Sequence, residues 1–591
     1  MAPVAQHMLM QTFGSICSGK VSDELASEIA VATRRLCVED VPHSYIKLLL
    51  DGRLVLLMKE DNGVRPIGIG ECLRRIMGRS VAKVLGEDVQ SAGGTLQTCT
   101  GVEAGVEAAI HAMARIFDLE SCEAVILVDA ENAFNRLNRK ASLQNIQHLC
   151  PPLFCFLNNT YKEPARLHLG DGTVIMSEEG ATQGDPLSMQ MYAVSSRKII
   201  NSLDTNTEDV RQVWFADDSA AGAALDNLHH WWLHLNEIGP IHGYYPKASK
   251  THVILKNPEQ LERARELFEP EVKITTEGKR HIGAALGTDD FKTRFIQSKV
   301  AKWVEDVEQI AEIAKEEPQA ALSAYNTGLA QRWTFVQRTM YGIGPLFQPI
   351  EDAIRQKLIP ALCGRAVSDL ERRLLALPYR HGGMGIRNPV TTAERAYDAS
   401  VRITQPLADL IVQQEMDISK LDRDAVRNIK SEVAAESEKA HVAEAIAISA
   451  ELDAKGQRLL ECAQEAGASA WLAAIPLKKL GYSINKQEFR DALCLRYGWR
   501  IPDMPTLCAC GGVNSVDHVM ICKRGGYVIM RHNALRDTEA KMMEQVCSDV
   551  RVEPALLDTG DDPSVRPDIS ARGVWSRYEV LLRRQGHASD S

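Results

Sequence analysis

Long apolar runs are missing from this chain: nowhere in its 591 residues do roughly 18 hydrophobic residues follow one another, so nothing reads as a membrane span and no membrane partner is expected. The first residues, MAPVAQHMLMQTFGSICSGK, lack the basic start, apolar core and small-residue cleavage site of a secretion signal, and export is not expected. A disulfide framework is missing too. Fourteen cysteines are scattered mostly singly (Cys17, Cys37, Cys72, Cys150, Cys363), as befits thiols of a reducing compartment; only one cluster stands out, near the C-terminus. Excess positive charge is likewise absent. A formal net charge of -10 argues against a nucleic-acid partner unless cations gather locally, because phosphate is bound by neutralising it. Basic residues do bunch over Arg65–Arg79 (RPIGIGECLRRIMGR) while acid concentrates in Glu432–Glu451, which allows a basic groove on an acidic body. Internal repeats and low-complexity tails are not found.

What is present is several domains' worth of ordinary globular sequence, 45% hydrophobic and 25% charged. Up to residue 50 the periodicity is helical, with Ser22 placed to start a helix before the run at Leu25. From Leu54 the pattern LVLLMK, DNG, RPIGIG predicts a hairpin turning at Asp61–Gly63, followed by a helix from Glu71 to about Leu85. A helix over Glu103–Phe117, a strand over Ala124–Ala130 and a second strand over Val213–Ala216 complete an α+β core. Beyond about residue 290 the chain reads as helical, through Ser298–Ala314 and Gln319–Tyr341, until the turn-rich LPYRHGGMGIRNP of Leu377–Pro389. Residues 406–465, rich in Ala, Glu and Lys, predict solvent-exposed helices.

Three blocks carry the chemistry. Asp129 ends the apolar run in VDAENAFNRLN, GATQGDPLSM follows at Gly180–Met189, and Asp217 and Asp218 follow another apolar run in WFADDSAAG. Each block alone is a turn or a cap; together, two neighbouring strands would bring carboxylates to one edge, where they repel unless a divalent cation neutralises them. Hard oxygen ligands suit Mg²⁺, and two such ions about 3.5–4 Å apart serve in-line phosphoryl transfer in polymerases, nucleases and phosphatases alike.

The ordered set LLMKEDNGVRPIGIGECLRR, VDAENAFNRLN, GATQGDPLSM, WFADDSAAG and GYYPKASKTHVIL resembles the consecutive motifs of reverse transcriptases of LINE-type (non-LTR) retrotransposons, over roughly residues 50–290. The resemblance implies a right-hand polymerase, with fingers and palm in 51–290 after an N-terminal helical segment (1–50), a helical thumb in 291–405 and a helical linker in 406–504. It implies that Asp129 and Asp217 hold two Mg²⁺ ions with Asp218 in support, and that Phe134 packs against the sugar to exclude a 2′-hydroxyl. Lys59 and Arg65 would grip the incoming deoxynucleoside triphosphate, Gln183 and Gly184 would meet template or nucleotide, and Lys250 would assist proton transfer to pyrophosphate. Asn135, Phe215 and the Pro246-Lys247 pair depart from the commoner family residues without touching the metal ligands.

Cys508, Cys510, His518 and Cys522 form C-x-C-x₇-H-x₃-C, a donor set for tetrahedral Zn²⁺. With its lead-in Gly467–Pro502, the cluster resembles the zinc knuckle (505–525) of those LINE elements that carry a restriction-like endonuclease. RHNALRD (Arg531–Asp537) and RPD, with Asp568, resemble that nuclease's opening elements in 526–591. Its remaining carboxylate could come only from Glu579, and no lysine follows Lys541, so a truncated nuclease with little or no cleavage is expected. An intron-encoded maturase or a telomerase-like polymerase is disfavoured by this tail. The expectation is therefore an RNA-directed DNA polymerase working on an RNA template and a DNA primer or target, made in the cytoplasm and acting in the nucleus. Its alternative is a decayed or domesticated copy that binds nucleic acid without polymerising.

Overall fold

The computed structural model describes residues 20–58, 63–502, 504–525, 527–545, 547–552, 569–573 and 579–582. The chain divides into two units, one of Met1–Leu452 with Glu461–Lys486 and one of Asp453–Leu460 with Gln487–Ser591.

The strands of the first unit are β1 (Gly52–Met58), β2 (Val64–Gly70), β3 (Ala124–Val128), β4 (Ala165–His168), β5 (Val174–Ser177), β6 (Arg211–Phe215), β7 (Asp218–Ala223), β8 (His252–Leu255), β9 (Lys273–Thr275), β10 (Gly278–His281) and β11 (Ala284–Gly287). One sheet has the order β6-β7-β3-β8-β9, a second β2-β1-β4-β5, and β10 and β11 form a separate hairpin. All five residues of β3 are buried, which is why AVILV reads as an unbroken apolar run rather than an alternation. Helices Gly105–Asp118 and Leu225–Ile238 pack on this sheet, and Pro389–Val412 runs along Gly105–Asp118 and against β6. Trp214, Trp231, Trp232, Tyr192 and Tyr244 are fully buried in the core beside this sheet.

The predicted hairpin is present as β1 and β2, antiparallel from Gly52 opposite Gly70 to Met58 opposite Val64; Asp61 and Asn62 of the expected turn lie outside the described residues. The helix expected over Gln319–Tyr341 is interrupted: α-helical turns at Pro318–Ala324 and Ala330–Thr339 flank a π-helical turn at Tyr325–Leu329. The helix expected from Ser298 begins at Asp289, where Thr288 Oγ1 accepts the Phe291 N–H at 3.3 Å. Pro389–Val412 is one helix, started by Asn388 and by Pro389 in its first turn, and it crosses residues 405 and 406 with Leu407, Ala408 and Ile411 buried. Solvent exposure instead begins with Arg423–Glu451, where only Ala445 and Ile448 are buried.

In the second unit, helix Tyr527–Met543 precedes an antiparallel sheet of β12 (Cys547–Val552), β13 (Ile569–Gly573) and β14 (Glu579–Leu582).

Candidate active site

The register of the central sheet sets three aspartates along one edge. Val128 pairs with Ser219 and Phe215 with Asp218, so Asp129, one step beyond β3, lies level with Asp218, and Asp217 occupies the two-residue β6–β7 turn. Its other turn residue, Ala216, has φ +53, a left-handed conformation that costs a non-glycine residue about 1–2 kcal/mol. Buried Gln97 holds it: the Ala216 N–H donates to Gln97 Oε1 at 2.9 Å and Gln97 Nε2 donates to the Ala216 carbonyl at 3.2 Å. Tyr244 secures the other side, donating its hydroxyl to the Asp217 carbonyl at 3.0 Å and meeting Ser219 Oγ at 2.9 Å.

These carboxyl groups disfavour one another's charge. Burial, reinforced by Asp129, raises the Asp217 carboxyl above its ordinary value, with Arg65 opposing the shift. Asp218 is reached by water yet walled by protein; that burial, then Asp217 and Asp129, pushes it up to about 7, with Arg280 opposing. Lys250 Nζ stands 3.6 Å from Asp129 Oδ2, both half exposed. Among the described residues, oxygens from all three aspartates do not close within 4.8 Å of one another as a single-ion cage would require. A spread of hard oxygen donors along an edge fits a pair of ions that fill their shells with water and substrate phosphate.

The GATQGDPLS loop is locked to both neighbours by backbone contacts. Gly180 has φ +74, and a Cβ there would lie 2.3 Å from the Asn135 carbonyl oxygen; next to it the Ala181 N–H donates to the Phe134 carbonyl at 2.6 Å. Gly184 has φ +108 and would put a Cβ 2.5 Å from the Gly68 carbonyl oxygen, while the Gly68 N–H donates to the Gln183 carbonyl at 2.8 Å. Phe134, partly buried against Tyr192 with ring centroids 4.8 Å apart, is thereby tied to the loop of Gln183, and the charge of Arg65 on β2 acts on Asp217. Gln183 Oε1 is buried without a hydrogen-bond partner, an unmet acceptor within the GATQGDPLS loop. Lys59 lies outside the described residues.

Several residues that hold this arrangement escape a sequence reading. Gln97 and Tyr244 are distant in sequence from the turn they hold. Arg74, part of the basic bunch, turns inward: it pairs with Asp185 of the loop, both almost fully buried, and donates to the Leu50 carbonyl at 3.1 Å. Arg280 on β10 belongs to a basic cluster. Burial first, then Lys273 and Arg280, lowers Lys279; burial, then Arg280 and Lys302, lowers Lys299. The signal for it was KRH in the short β10–β11 hairpin, too brief to read alone.

In the second unit, Cys508, Cys510, His518 and Cys522 each bring one donor atom to within 4.8 Å of the others. Cys508 and Cys522 Sγ are 3.7 Å apart and Cys510 Sγ is 3.1 Å from His518 Nε2. Zn–S bonds of about 2.3 Å in a tetrahedron span an edge of about 3.8 Å, so the pair of thiols is already spaced for Zn²⁺. A Leu507–Val513 bridge carries the first two cysteines, and a short helix, Val516–Ile521, capped by Ser515, carries His518 to Cys522. Asp568 lies outside the described residues, and Glu579 opens β14 opposite Arg572.

No family model and no curated protein matches the chain. Among solved structures it is similar to the apo telomerase of Candida tropicalis (11% identity, TM-score 0.35, covering 70% of this chain and 74% of that one). It is also similar to the telomerase of Candida albicans in complex with a TWJ fragment of telomeric RNA (11%, TM-score 0.37, 70% and 71%). Against the Candida tropicalis apo telomerase truncated from its C-terminal domain, identity is 13% and TM-score 0.31, and the match covers 40% of this chain and 53% of that one. What the site can do follows from its own side chains rather than from these likenesses.

Proposed function

We propose that the chain is an RNA-directed DNA polymerase of a non-LTR retrotransposon, extending a 3′-hydroxyl primer on an RNA template. The observation that carries this reading is the shared edge of Asp129, Asp217 and Asp218, flanked by the Gln183 loop and Arg65. Asp129 and Asp217 would hold two Mg²⁺ ions, whose chemistry is to activate the primer hydroxyl and stabilise the leaving pyrophosphate oxygen. The mutual disfavour of the carboxylates and their hard oxygen donors fit such ions.

Arg65 would supply a bidentate fork for triphosphate, and Lys59, from the same sequence motif, a second cation. Phe134 would exclude a sugar 2′-hydroxyl, and Gln183 would offer an acceptor to a base or ribose. The Lys250–Asp129 pair is half exposed and worth little as a structural contact, so the ammonium is free to turn toward pyrophosphate and give it a proton. Residues 51–290 would form fingers and palm, 291–405 a thumb, 406–504 a linker, 505–525 a Zn²⁺ knuckle and 526–591 a partial nuclease. Labelled dTTP incorporation on poly(rA)/oligo(dT) tests the reading. Synthesis is expected to need template, primer and Mg²⁺ together; incorporation that is indifferent to the template would refute it.

A further inference from the structure

The turn-rich segment Leu377–Pro389 holds a second convergence, unrelated to the aspartates. After a helix at Asp369–Ala376, the chain enters a tight turn, Tyr379–His381, and reverses through Gly382 and Gly383. A Cβ at Gly383 would lie 1.9 Å from the Leu377 carbonyl oxygen, so glycine alone lets this turn close. Buried Arg372 fixes the return strand of the loop, donating to the Ile386 carbonyl at 2.8 Å and pairing with Glu351 at 2.7 Å.

The closed turn brings His381 against helix Arg423–Glu451, where Glu438 and His441, three residues apart, are neighbours on one face. His381 Nε2 is 2.9 Å from Glu438 Oε1, and the two imidazole centroids are 6.0 Å apart. One nitrogen of each ring and one carboxylate oxygen all lie within 4.8 Å of one another. His441 Nδ1 is buried without a hydrogen-bond partner, an orphan that a metal would satisfy. Two imidazoles and a carboxylate, with a position left open, are the donor set of a zinc-class ion.

We propose that His381, Glu438 and His441 form a transition-metal site that clasps helix Arg423–Glu451 to the Tyr379–His381 turn. Arg380 competes for it, holding both oxygens of Glu438, at 3.3 Å for Oε1, and the charge of Arg387 also bears on His441. The Arg380 side chain is 65% exposed, so its ion pair is weak and the guanidinium can swing into water when a cation enters.

The test is calorimetric titration of the full chain with Zn²⁺, in a Cys508→Ser, Cys510→Ser background and in excess Mg²⁺ to keep the aspartates occupied. One equivalent is expected to bind. Adding His441→Gln should abolish it, Glu438→Gln should weaken it roughly tenfold or more, and Arg380→Ala should strengthen it. Circular dichroism on each variant separates lost binding from lost folding. With Co²⁺, the bound ion should show ligand-field bands without thiolate charge transfer. No saturable binding by a folded background protein, or binding that survives His441→Gln, would overturn the site and leave only an ion-pair network.

Discussion

Asp218 carries a cost that the metal-free protein pays only above acidic pH. Its carboxyl is held up to about 7 in the folded chain by burial and by Asp217 and Asp129, against an ordinary value near 3.9 when unfolded. Below about pH 4 both states are protonated and nothing is lost; from there to about pH 7 the unfolded state ionises while the folded one resists, and the full cost persists above. Asp218→Asn is therefore expected to melt higher than the native chain at pH 8 in EDTA, by on the order of 1 kcal/mol because the group is open to solvent, and to melt equally at pH 4. Thermal unfolding at the two pH values checks this; a native chain more stable than the variant at pH 8 would contradict it. Phe134→Val is expected to raise ribonucleotide incorporation relative to deoxynucleotide by roughly 10- to 100-fold, the usual worth of a steric filter, measured by competing rUTP against dTTP. The aspartates were legible in the sequence because Asp129 ends one apolar run and Asp217 and Asp218 follow another, which places them where strands end or turn. Arg74 was not, because a basic bunch on paper does not reveal which guanidinium meets a buried carboxylate more than a hundred residues away.

At the scale of elements, the β6–β7 hairpin shows why a motif is not a site by itself. The Phe-Ala-Asp-Asp of WFADDSAAG supplies the turn, but Ala216 tolerates its left-handed φ only through Gln97, which comes from the extended segment bridged to Trp214. Gln97→Ala removes three buried hydrogen bonds, two to Ala216 and one to Ser196 Oγ, and is expected to cost about 1–3 kcal/mol, with activity falling further than stability because Asp217 shares the turn. Denaturant unfolding and incorporation rate, measured on the same variant, separate the two; a variant with native stability and native rate would contradict the clamp. Elements with strong local signals were legible: the β1–β2 hairpin, helix Cys72–Val84 and strand β3. Helix boundaries were less so. The start at Asp289 was written in Thr-Asp-Asp and that at Pro389 in Asn-Pro, capping signals overlooked beside the hydrophobic period. The π-helical turn at Tyr325–Leu329 has no signature in apolar spacing.

At the scale of the whole molecule, a net charge of -10 has to be reconciled with the polyanionic substrate of the proposed function. The reconciliation is local: burial first, then the neighbouring cations among Lys273, Arg280 and Lys302, lowers Lys279 and Lys299, and the charge of Arg280 also acts on Asp218. Template–primer affinity is expected to fall steeply with salt, and Lys299→Ala with Lys302→Ala to flatten the log–log slope by about 1 to 2. An unchanged slope, measured by fluorescence anisotropy, would place the nucleic acid elsewhere. KRH on β10 was the only sequence signal of this basic cluster, and too brief, since β9, β10 and helix Asp289–Ala314 each contribute only one or two of its members.

The most direct test of the central claim is primer extension on poly(rA)/oligo(dT) with Mg²⁺, comparing the native chain with the near-isosteric Asp217→Asn, Asp218→Asn variant. Extension by the native chain that disappears in a variant with intact fold and duplex binding is the predicted result. Silence from both, while the native chain is folded and binds the duplex, would contradict the polymerase and leave a protein that holds nucleic acid without copying it.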